Sequence, residues 1–273
     1  MKEKCKAIIP IIICVAVFII MLLLIPLEKR NQLRDKYGKL AVNAETDERS
    51  AYILENVEQI PNDVLKLYYK DYEKWCDFVY DYPVHKNDYD TMTFTDEEIN
   101  SETVPQLFMY DRRWAYEKLE DGFIAQFGCL PTCLTMAYLY LTHSPDVDPY
   151  IISKIAEDID AVGINGIRDD RVKELAGIIG LEVTEYKYYT EMKDTKDITT
   201  DVEDLKGIID RGNVAIGGMK GEVFGVHAVV FGGYTDEGFI INDPANKEYS
   251  EKIWQYEEFE PELFFLYEVS LKK

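Results

Sequence analysis

The sequence predicts an α+β domain preceded by a single transmembrane helix. Three observations support this class: an uncharged apolar run near the N-terminus, helical periodicity in the middle of the chain, and alternating apolar segments from Leu181 onward. Helices that are followed by strands, rather than alternating with them, favour a segregated architecture with a largely antiparallel sheet. The chain has 273 residues, which is enough for one medium-sized domain with its own core.

The composition excludes some classes of partner. The chain carries 51 acidic and 30 basic side chains, a formal net charge of -21, and would therefore repel phosphate backbones and anionic lipid surfaces. No basic stripe interrupts this acidity, so we expect no nucleic-acid partner. Aromatic residues make up 13% of the chain, which is too many for a disordered acidic tail and indicates a folded body.

An apolar run at residues 7–27, AIIPIIICVAVFIIMLLLIPL, predicts an N-terminal membrane anchor over 1–27. At about 1.5 Å per residue, such a run crosses a hydrocarbon core of roughly 30 Å. A cleaved signal peptide is less favoured, because its apolar core is usually only ~7–15 residues long. Charge alone would favour a cytoplasmic body, since the basic residues that follow the run outnumber the three that precede it: Lys29, Arg30, Arg34, Lys36 and Lys39 against Lys2, Lys4 and Lys6.

Two segments separate the anchor from the main domain. Residues 28–48 are polar and mixed in charge, which predicts a juxtamembrane stalk. Residues 49–103 form a predicted helical lead-in and connector. Apolar side chains recur there at helical spacing over 52–80, with a break expected at Pro61, and a polar stretch follows.

The main domain, residues 104–273, begins with helices and ends with strands. Apolar periodicity predicts helices over 130–141, 150–159 and 171–179, and Gly180 is a suitable C-terminal cap for the third. Alternation and β-branched residues then predict strands over 181–189, 213–219, 227–234, 238–243 and 264–271, with one further helix over 202–210.

Three cysteines lie outside the anchor region: Cys76, Cys129 and Cys133. The last two stand in the stretch GCLPTCLTM, residues 128–136. An odd number argues against a disulfide-built domain, so at least one thiol should be free. A structural zinc site needs four ligands, and no second cysteine or histidine pair has suitable spacing. A disulfide between Cys129 and Cys133 would bridge one helical turn, where the side-chain directions rarely suit it. We expect neither a metal nor a cofactor.

Cys129 lies where the first of these helices should begin. Gly128 permits a sharp entry, and Pro131 suits the first helical turn. Unpaired N–H groups and the helix dipole stabilise a thiolate at such a position and lower its pKa. For a single thiol, a buried structural cysteine is the alternative, so a catalytic role requires a base.

His227 is the histidine best placed to act as that base. His85 and His143 lie in polar segments, where a solvated side chain is expected. His227 opens a predicted strand, and the next strand ends at Asp243, so adjacent strands could bring these two side chains together at one edge of the sheet.

These placements suggest a catalytic triad. We interpret Cys129 as the nucleophile, His227 as the base that takes its proton, and Asp243 as the group that orients the imidazole and fixes its tautomer. The alternative for Asp243 is a purely structural role in a turn before Pro244.

Five ordered segments carry a family resemblance: FVYDYP (78–83), VPQLFMYDRRW (104–114), GCLPTCLTMAYLYLT (128–142), HAVVFGGY (227–234) and INDPANKEYSEKIW (241–254). They resemble papain-like cysteine peptidases of the bacteriocin-leader-processing type, specifically the C39-like peptidase domains that lack a transporter. The resemblance maps a catalytic cysteine, histidine and aspartate onto Cys129, His227 and Asp243. It implies a papain-like fold, with the nucleophile at a helix N-terminus in the helical half and the other two residues on an antiparallel sheet.

The chain departs from the family pattern at two positions. The family places a glutamine ahead of the tryptophan-containing segment, where its amide donates to the oxyanion, and this chain has Met109 there. Gln106 lies three residues away and is expected to point to the other face of a strand, which makes Gln126, just before Cys129, the candidate oxyanion donor. The second departure is Leu130 in place of a glycine, which narrows the space beside the thiol.

The resemblance implies a membrane-anchored thiol hydrolase, a cysteine peptidase or amidase, that acts on a peptide or protein substrate through a thioester. Relatives are commonly secreted or surface-tethered, which implies a body outside a bacterial cell. The first alternative is a weakened or inactive domain that binds a peptide or cell-wall fragment, and the two departures favour it. The second is a cytoplasmic-facing interaction protein, supported only by the basic residues after the anchor.

Overall fold

A computed structural model describes residues 36–90, 93–163, 166–188, 198–220 and 226–273 of the chain. The predicted membrane span at 7–27 and the first part of the predicted stalk lie outside these ranges. Within them, no helix is both long enough and apolar enough to cross a membrane. The chain divides into two compact units, Met1–Val84 and His85–Lys273. The predicted boundary between connector and main domain, at 103/104, falls inside the second unit.

The described part of the first unit is helical. Its helices are α1 (Lys39–Asn43), α2 (Glu48–Glu55), α3 (Asn62–Lys70) and α4 (Tyr72–His85), the last of which ends at the first residue of the second unit. Helical structure is interrupted at Pro61, as predicted, because Pro61 takes an extended backbone conformation immediately before α3. Helix α1 lies within the residues assigned to the stalk. It is too short to show a periodic pattern, yet Leu40 is fully buried.

The helical half of the second unit contains α5 (Asp96–Ile99), α6 (Ile124–Phe127), α7 (Cys129–Thr142), α8 (Pro149–Asp158) and α9 (Val172–Ile178). The three longest agree with the three predicted helices to within a residue or so at each end. Helix α8 begins where the Asp148 carboxylate accepts the N–H of Ile151 at 2.8 Å. Beyond α9, Gly180 has a φ of 82°, a left-handed conformation that glycine adopts without strain.

Two short hairpins interrupt the helices and were not predicted from the sequence. They are formed by β1 (Lys118–Leu119) with β2 (Gly122–Phe123), and by β3 (Val162–Gly163) with β4 (Gly166–Ile167). Strands of two residues show no alternation, so the sequence pattern carries no signal for them.

The second half is a six-stranded sheet in the order β5-β10-β6-β7-β8-β9, and each neighbouring pair is antiparallel. Its strands are β5 (Leu181–Tyr188), β6 (Val214–Lys220), β7 (Val226–Thr235), β8 (Gly238–Asn242), β9 (Ile253–Trp254) and β10 (Leu263–Leu271). Five correspond to predicted strands, and the two-residue β9 was missed. Helices α10 (Ile198–Asp210), α11 (Lys247–Ser250) and α12 (Tyr256–Phe259) complete the unit. The α+β class is therefore confirmed and is compatible with a papain-like fold.

Both faces of the sheet are covered. Val214 and Val230 belong to the core that contains α7, α8 and α9, whereas Ala215 and Phe231 belong to a second core with α10 and α12. Burial on both faces explains why the strands have nearly continuous apolar runs. Because α7 packs against β7, the helix that begins with Cys129 lies against the strand that carries His227.

The sheet leads to a first prediction, on two glycines. A Cβ at Gly218 in β6 would stand 2.1 Å from the ring of Phe265, a buried side chain on β10. Because this ring is confined in the core, we expect Gly218→Ala to lower the free energy of unfolding by about 1–3 kcal/mol, measured by urea denaturation. Gly233→Ala is the matched control. Its Cβ would meet only Ile240, at 3.8 Å, so a change within about 0.5 kcal/mol is expected. Equal losses in both variants would contradict this account.

Candidate active site

Cys129 is the first residue of α7, as the sequence predicted, and Gly128 is the residue just before it. A Cβ at Gly128 would stand 2.5 Å from the carbonyl oxygen of Ile124, so the turn from α6 into α7 requires glycine. The hydroxyl of Thr132 donates to the Gly128 carbonyl at 2.7 Å and holds this turn in place. The helix N-terminus that presents the thiol is therefore fixed by local structure.

The thiol of Cys129 lies among groups that favour its ionised form. Burial raises the pKa of this thiol, but the hydrogen bond and charge of His227 oppose that effect, as do hydrogen bonds from the backbone N–H groups of Ala228 and Leu130. The balance lowers the pKa of Cys129 below its ordinary value. Cys129 as a residue is partly exposed.

His227 and Asp243 form a direct hydrogen bond. His227 Nε2 lies 2.8 Å from Asp243 Oδ1, and the two side chains are 20% and 6% exposed. Burial lowers the pKa of His227, but the hydrogen bonds and negative charges of Asp243 and Cys129 raise it to about 10. Because Nε2 is engaged by Asp243, Nδ1 is the ring nitrogen left for the sulfur. The two shifts run in opposite directions, and both favour a thiolate–imidazolium pair over two neutral side chains.

Asp243 has a structural role as well as its contact with the imidazole. Its Oδ1 also accepts the backbone N–H groups of Ala245 at 2.7 Å and Asn246 at 3.0 Å, which builds the turn through Pro244. The turn role, which the sequence offered as the alternative for Asp243, is therefore present beside the contact with His227. The same turn that follows β8 aims the carboxylate at the histidine on β7.

Cys133 lies one turn further along α7 and differs sharply from Cys129. It is fully buried, and burial raises its pKa well above the ordinary value, with the charges of Cys129 and Asp243 adding to this effect. Cys76, in the first unit, is also buried, and burial raises its pKa too. All three are free thiols.

The other two histidines are not brought to this cluster. His143 is exposed at the end of α7, and its Nδ1 lies 3.0 Å from the carbonyl oxygen of Ile99. His85 pairs with Asp88, with Nδ1 and Oδ2 2.6 Å apart. In the described part of the chain, no group of three His, Cys, Asp or Glu side chains is arranged to hold a metal ion.

Two glutamines bear on the predicted oxyanion donor. Gln126 lies on α6, three residues before Cys129, with its Oε1 beside Gly122. Gln106 was expected to point away from the site, but its Nε2 donates to the backbone carbonyl of Asp243 at 3.1 Å. No sequence spacing could have predicted that contact, because 137 positions separate the two residues.

The structure also shows where Met109 and Leu130 lie, the two positions at which a departure from the family pattern was expected. Met109 is buried, and its backbone N–H donates to the carbonyl of Pro244 at 2.9 Å, which places this position beside the Asp-Pro turn. Leu130 has a buried side chain, while its backbone N–H is directed to the sulfur of Cys129.

A cysteine at a helix N-terminus, joined to a histidine on an antiparallel sheet, is the arrangement of papain-like cysteine peptidases, a class of thiol hydrolases. The chain belongs to the Peptidase_C39 like family, whose family model matches residues 115–267. This range contains Cys129, His227 and Asp243, whereas Gln106 and Met109 precede it. Comparison with curated proteins gave no match. The resemblance inferred from the sequence is thus confirmed, and the family is one of cysteine-peptidase-type hydrolases.

The ion pair leads to a second prediction, on the pH dependence of alkylation. A lowered thiol pKa means that the thiolate persists at lower pH, so the rate of Cys129 alkylation by iodoacetamide should show its inflection below the ordinary value of about 8.5. In His227→Asn the imidazolium is absent, so the inflection should rise and the rate at about pH 6.5 should fall at least ~10-fold. Cys133→Ala serves as the control and should keep the wild-type profile. An inflection that His227→Asn leaves in place would show that the two side chains do not interact.

Proposed function

We propose that this chain is a thiol hydrolase that cleaves a peptide or amide bond through a Cys129–His227–Asp243 triad. The observation that carries this proposal is the position of His227, whose Nε2 lies 2.8 Å from Asp243 Oδ1 and whose ring lowers the pKa of the Cys129 thiol. Membership of a cysteine-peptidase-type family supports the reaction class. The substrate is a peptide or protein, and the reaction requires no cofactor.

In the first half of the reaction, the Cys129 thiolate attacks the carbonyl carbon of the scissile bond. The C–N bond then breaks, the imidazolium of His227 gives its proton to the leaving amine, and a thioester remains on Cys129. The pKa of His227, raised to about 10, keeps this proton available at neutral pH until the amine departs. Asp243 holds the ring so that the proton is delivered on the side of the sulfur.

In the second half, neutral His227 takes a proton from water as the water attacks the thioester carbonyl. The C–S bond breaks, the acid product leaves, and the thiolate and imidazolium are restored. Both halves pass through an oxyanion. The N–H of Cys129 is available to it, because the N–H groups in the first turn of a helix have no intrahelical partner.

The membrane placement is also part of this proposal. The uncharged run at residues 7–27 would anchor the chain as a single span, and the catalytic unit would face the outside of the cell. The family habit of secretion or surface tethering supports this orientation. A protease-protection experiment on intact cells tests it, since an outward-facing unit is digested without lysis.

The triad leads to a third prediction, which separates two cysteines on one helix. Cys129→Ala should abolish hydrolysis of a peptide that the wild type cleaves, a loss of at least ~10³-fold in kcat/KM, because no thioester can form. Cys133→Ala should keep kcat within about 3-fold and act mainly on stability, since this thiol is fully buried and un-ionised. Equal loss of rate in both variants, with folding intact, would remove Cys129 from its proposed role.

Met109 favours a second candidate function, in which the domain binds a peptide and turns it over slowly. The family donor is absent at this position, so the oxyanion keeps mainly backbone donors. Alkylation of Cys129 would then be fast while turnover is weak, because the ion pair forms in the ground state and the missing hydrogen bond belongs to the transition state.

A fourth prediction follows for Met109→Gln. Restoring the amide should raise kcat about 10-fold or more with little change in KM, since the new hydrogen bond is made mainly in the transition state. Steady-state kinetics on a cleaved peptide provide the measurement. A kcat that does not change would show that position 109 does not face the oxyanion.

A further inference from the structure

The segment 104–109 lies along the turn that carries Asp243 and holds it at three successive residues. The amide of Asn242 donates to the Val104 carbonyl at 2.9 Å, Gln106 Nε2 donates to the Asp243 carbonyl at 3.1 Å, and the Met109 N–H donates to the Pro244 carbonyl at 2.9 Å. Of these three contacts, the middle one alone depends on a side chain of the segment. Any residue at 104 could supply the carbonyl, and any residue except proline at 109 could supply the N–H.

The backbone of Asp243 is held at both of its polar groups. Its N–H donates to the hydroxyl of Ser250 at 2.9 Å, and its carbonyl accepts from Gln106 Nε2 at 3.1 Å and lies 3.3 Å from the Ser250 hydroxyl. The carboxylate of Asp243 meets His227 only if this backbone keeps its orientation, because the same oxygen must also accept two N–H groups of the turn. Gln106 thus contacts the backbone of the residue whose carboxylate contacts His227.

The side-chain amide of Gln106 is only partly satisfied by hydrogen bonds. Its Oε1 is buried and has no hydrogen-bond partner among the described residues, whereas Nε2 donates to both the Asp243 and Leu107 carbonyls. A buried acceptor without a partner costs free energy, and an apolar side chain of the same length would avoid that cost. An amide at this position is therefore explained by its donor and not by stability.

We propose that Gln106 is a positioning residue for the reaction. It acts through Asp243: its amide fixes the backbone of the Asp-Pro turn, the turn fixes the carboxylate, and the carboxylate keeps Nδ1 of His227 directed at the sulfur of Cys129. This inference rests on the proposed triad. It concerns a residue that precedes the range matched by the family model.

The test uses Gln106→Met, which keeps the side-chain length and removes the donor. The inflection of Cys129 alkylation should shift upward toward that of His227→Asn, and the alkylation rate at about pH 6.5 should fall about 5- to 10-fold. For a cleaved peptide, kcat should fall about 10-fold while KM changes less than about 2-fold. Thermal denaturation of each variant gives its folded fraction, so that a loss of rate can be separated from unfolding.

Gln255→Met is the matched control. Gln255 lies in the same unit, and its Nε2 likewise donates to a backbone carbonyl, that of Glu237, but it has no contact with the triad. The alkylation profile and kcat of this variant should equal those of the wild type. If Gln106→Met fails to fold, Gln106→Leu removes the same donor with a shorter side chain and is measured in the same way.

A double-mutant cycle separates positioning from general packing. If Gln106 acts through Asp243, adding Gln106→Met to Asp243→Asn should change the alkylation rate by less than about 2-fold, because the group being positioned has already lost its charge. A full effect of Gln106→Met in that background overturns the inference. So does a wild-type alkylation profile in Gln106→Met, or a loss of kcat that is fully explained by a smaller folded fraction.

The alkylation measurement distinguishes a failure of this inference from a failure of the proposed function. If the wild-type Cys129 titrates as an ordinary thiol, the triad itself is wrong and the positioning of Asp243 by Gln106 fails with it. If the wild type shows a lowered inflection that Gln106→Met does not move, only the role of Gln106 is overturned.

Discussion

The hydrogen bond between His227 Nε2 and Asp243 Oδ1 is the interaction on which the rest of the site depends. It uses one ring nitrogen and so leaves the other to face Cys129. Together with the charge of Cys129, it raises the pKa of an imidazole whose partial burial alone would lower that pKa. Without the positive charge of the imidazole, the thiol of Cys129 would keep only two backbone N–H groups and the helix N-terminus to balance its own burial.

The fold supplies this interaction through strand register. Val230 of β7 pairs with Asn242, the last residue of β8. The turn that follows β8 therefore runs beside the first residues of β7, where His227 lies. Helix α7 packs on the same strand from the helical half and brings its first residue to the histidine. The site thus forms where the two halves of the second unit meet, and neither half contains all three residues.

This arrangement shows which parts of the molecule could be predicted from sequence. Cys129, His227 and Asp243 could be proposed as one site because each lies where the sequence pattern changes: a glycine before a helix, the start of a strand, and an Asp-Pro turn after a strand. Helices α7 to α9 and the long strands were found because their periodicity extends over several turns or alternations. Helix α1 and strands β1 to β4 and β9 are too short for that signal. The contact of Gln106 with Asp243 was missed for another reason, since it joins an irregular segment to a distant turn.

Cys129 and Cys133 show how strongly position decides reactivity. The two thiols lie one turn apart on the same helix, yet the pKa of one is lowered and that of the other is raised. Both are desolvated, so the difference comes from His227 and from the N–H groups that meet only the first residue of α7. These groups stabilise the thiolate before substrate binds. Stabilising the oxyanion is a separate requirement, met by donors at a different point in space, and the side chain of Met109, beside the Asp-Pro turn, has no N–H or O–H to donate. A chain of this kind can therefore keep a reactive thiol while its turnover is set by a group that never touches the sulfur.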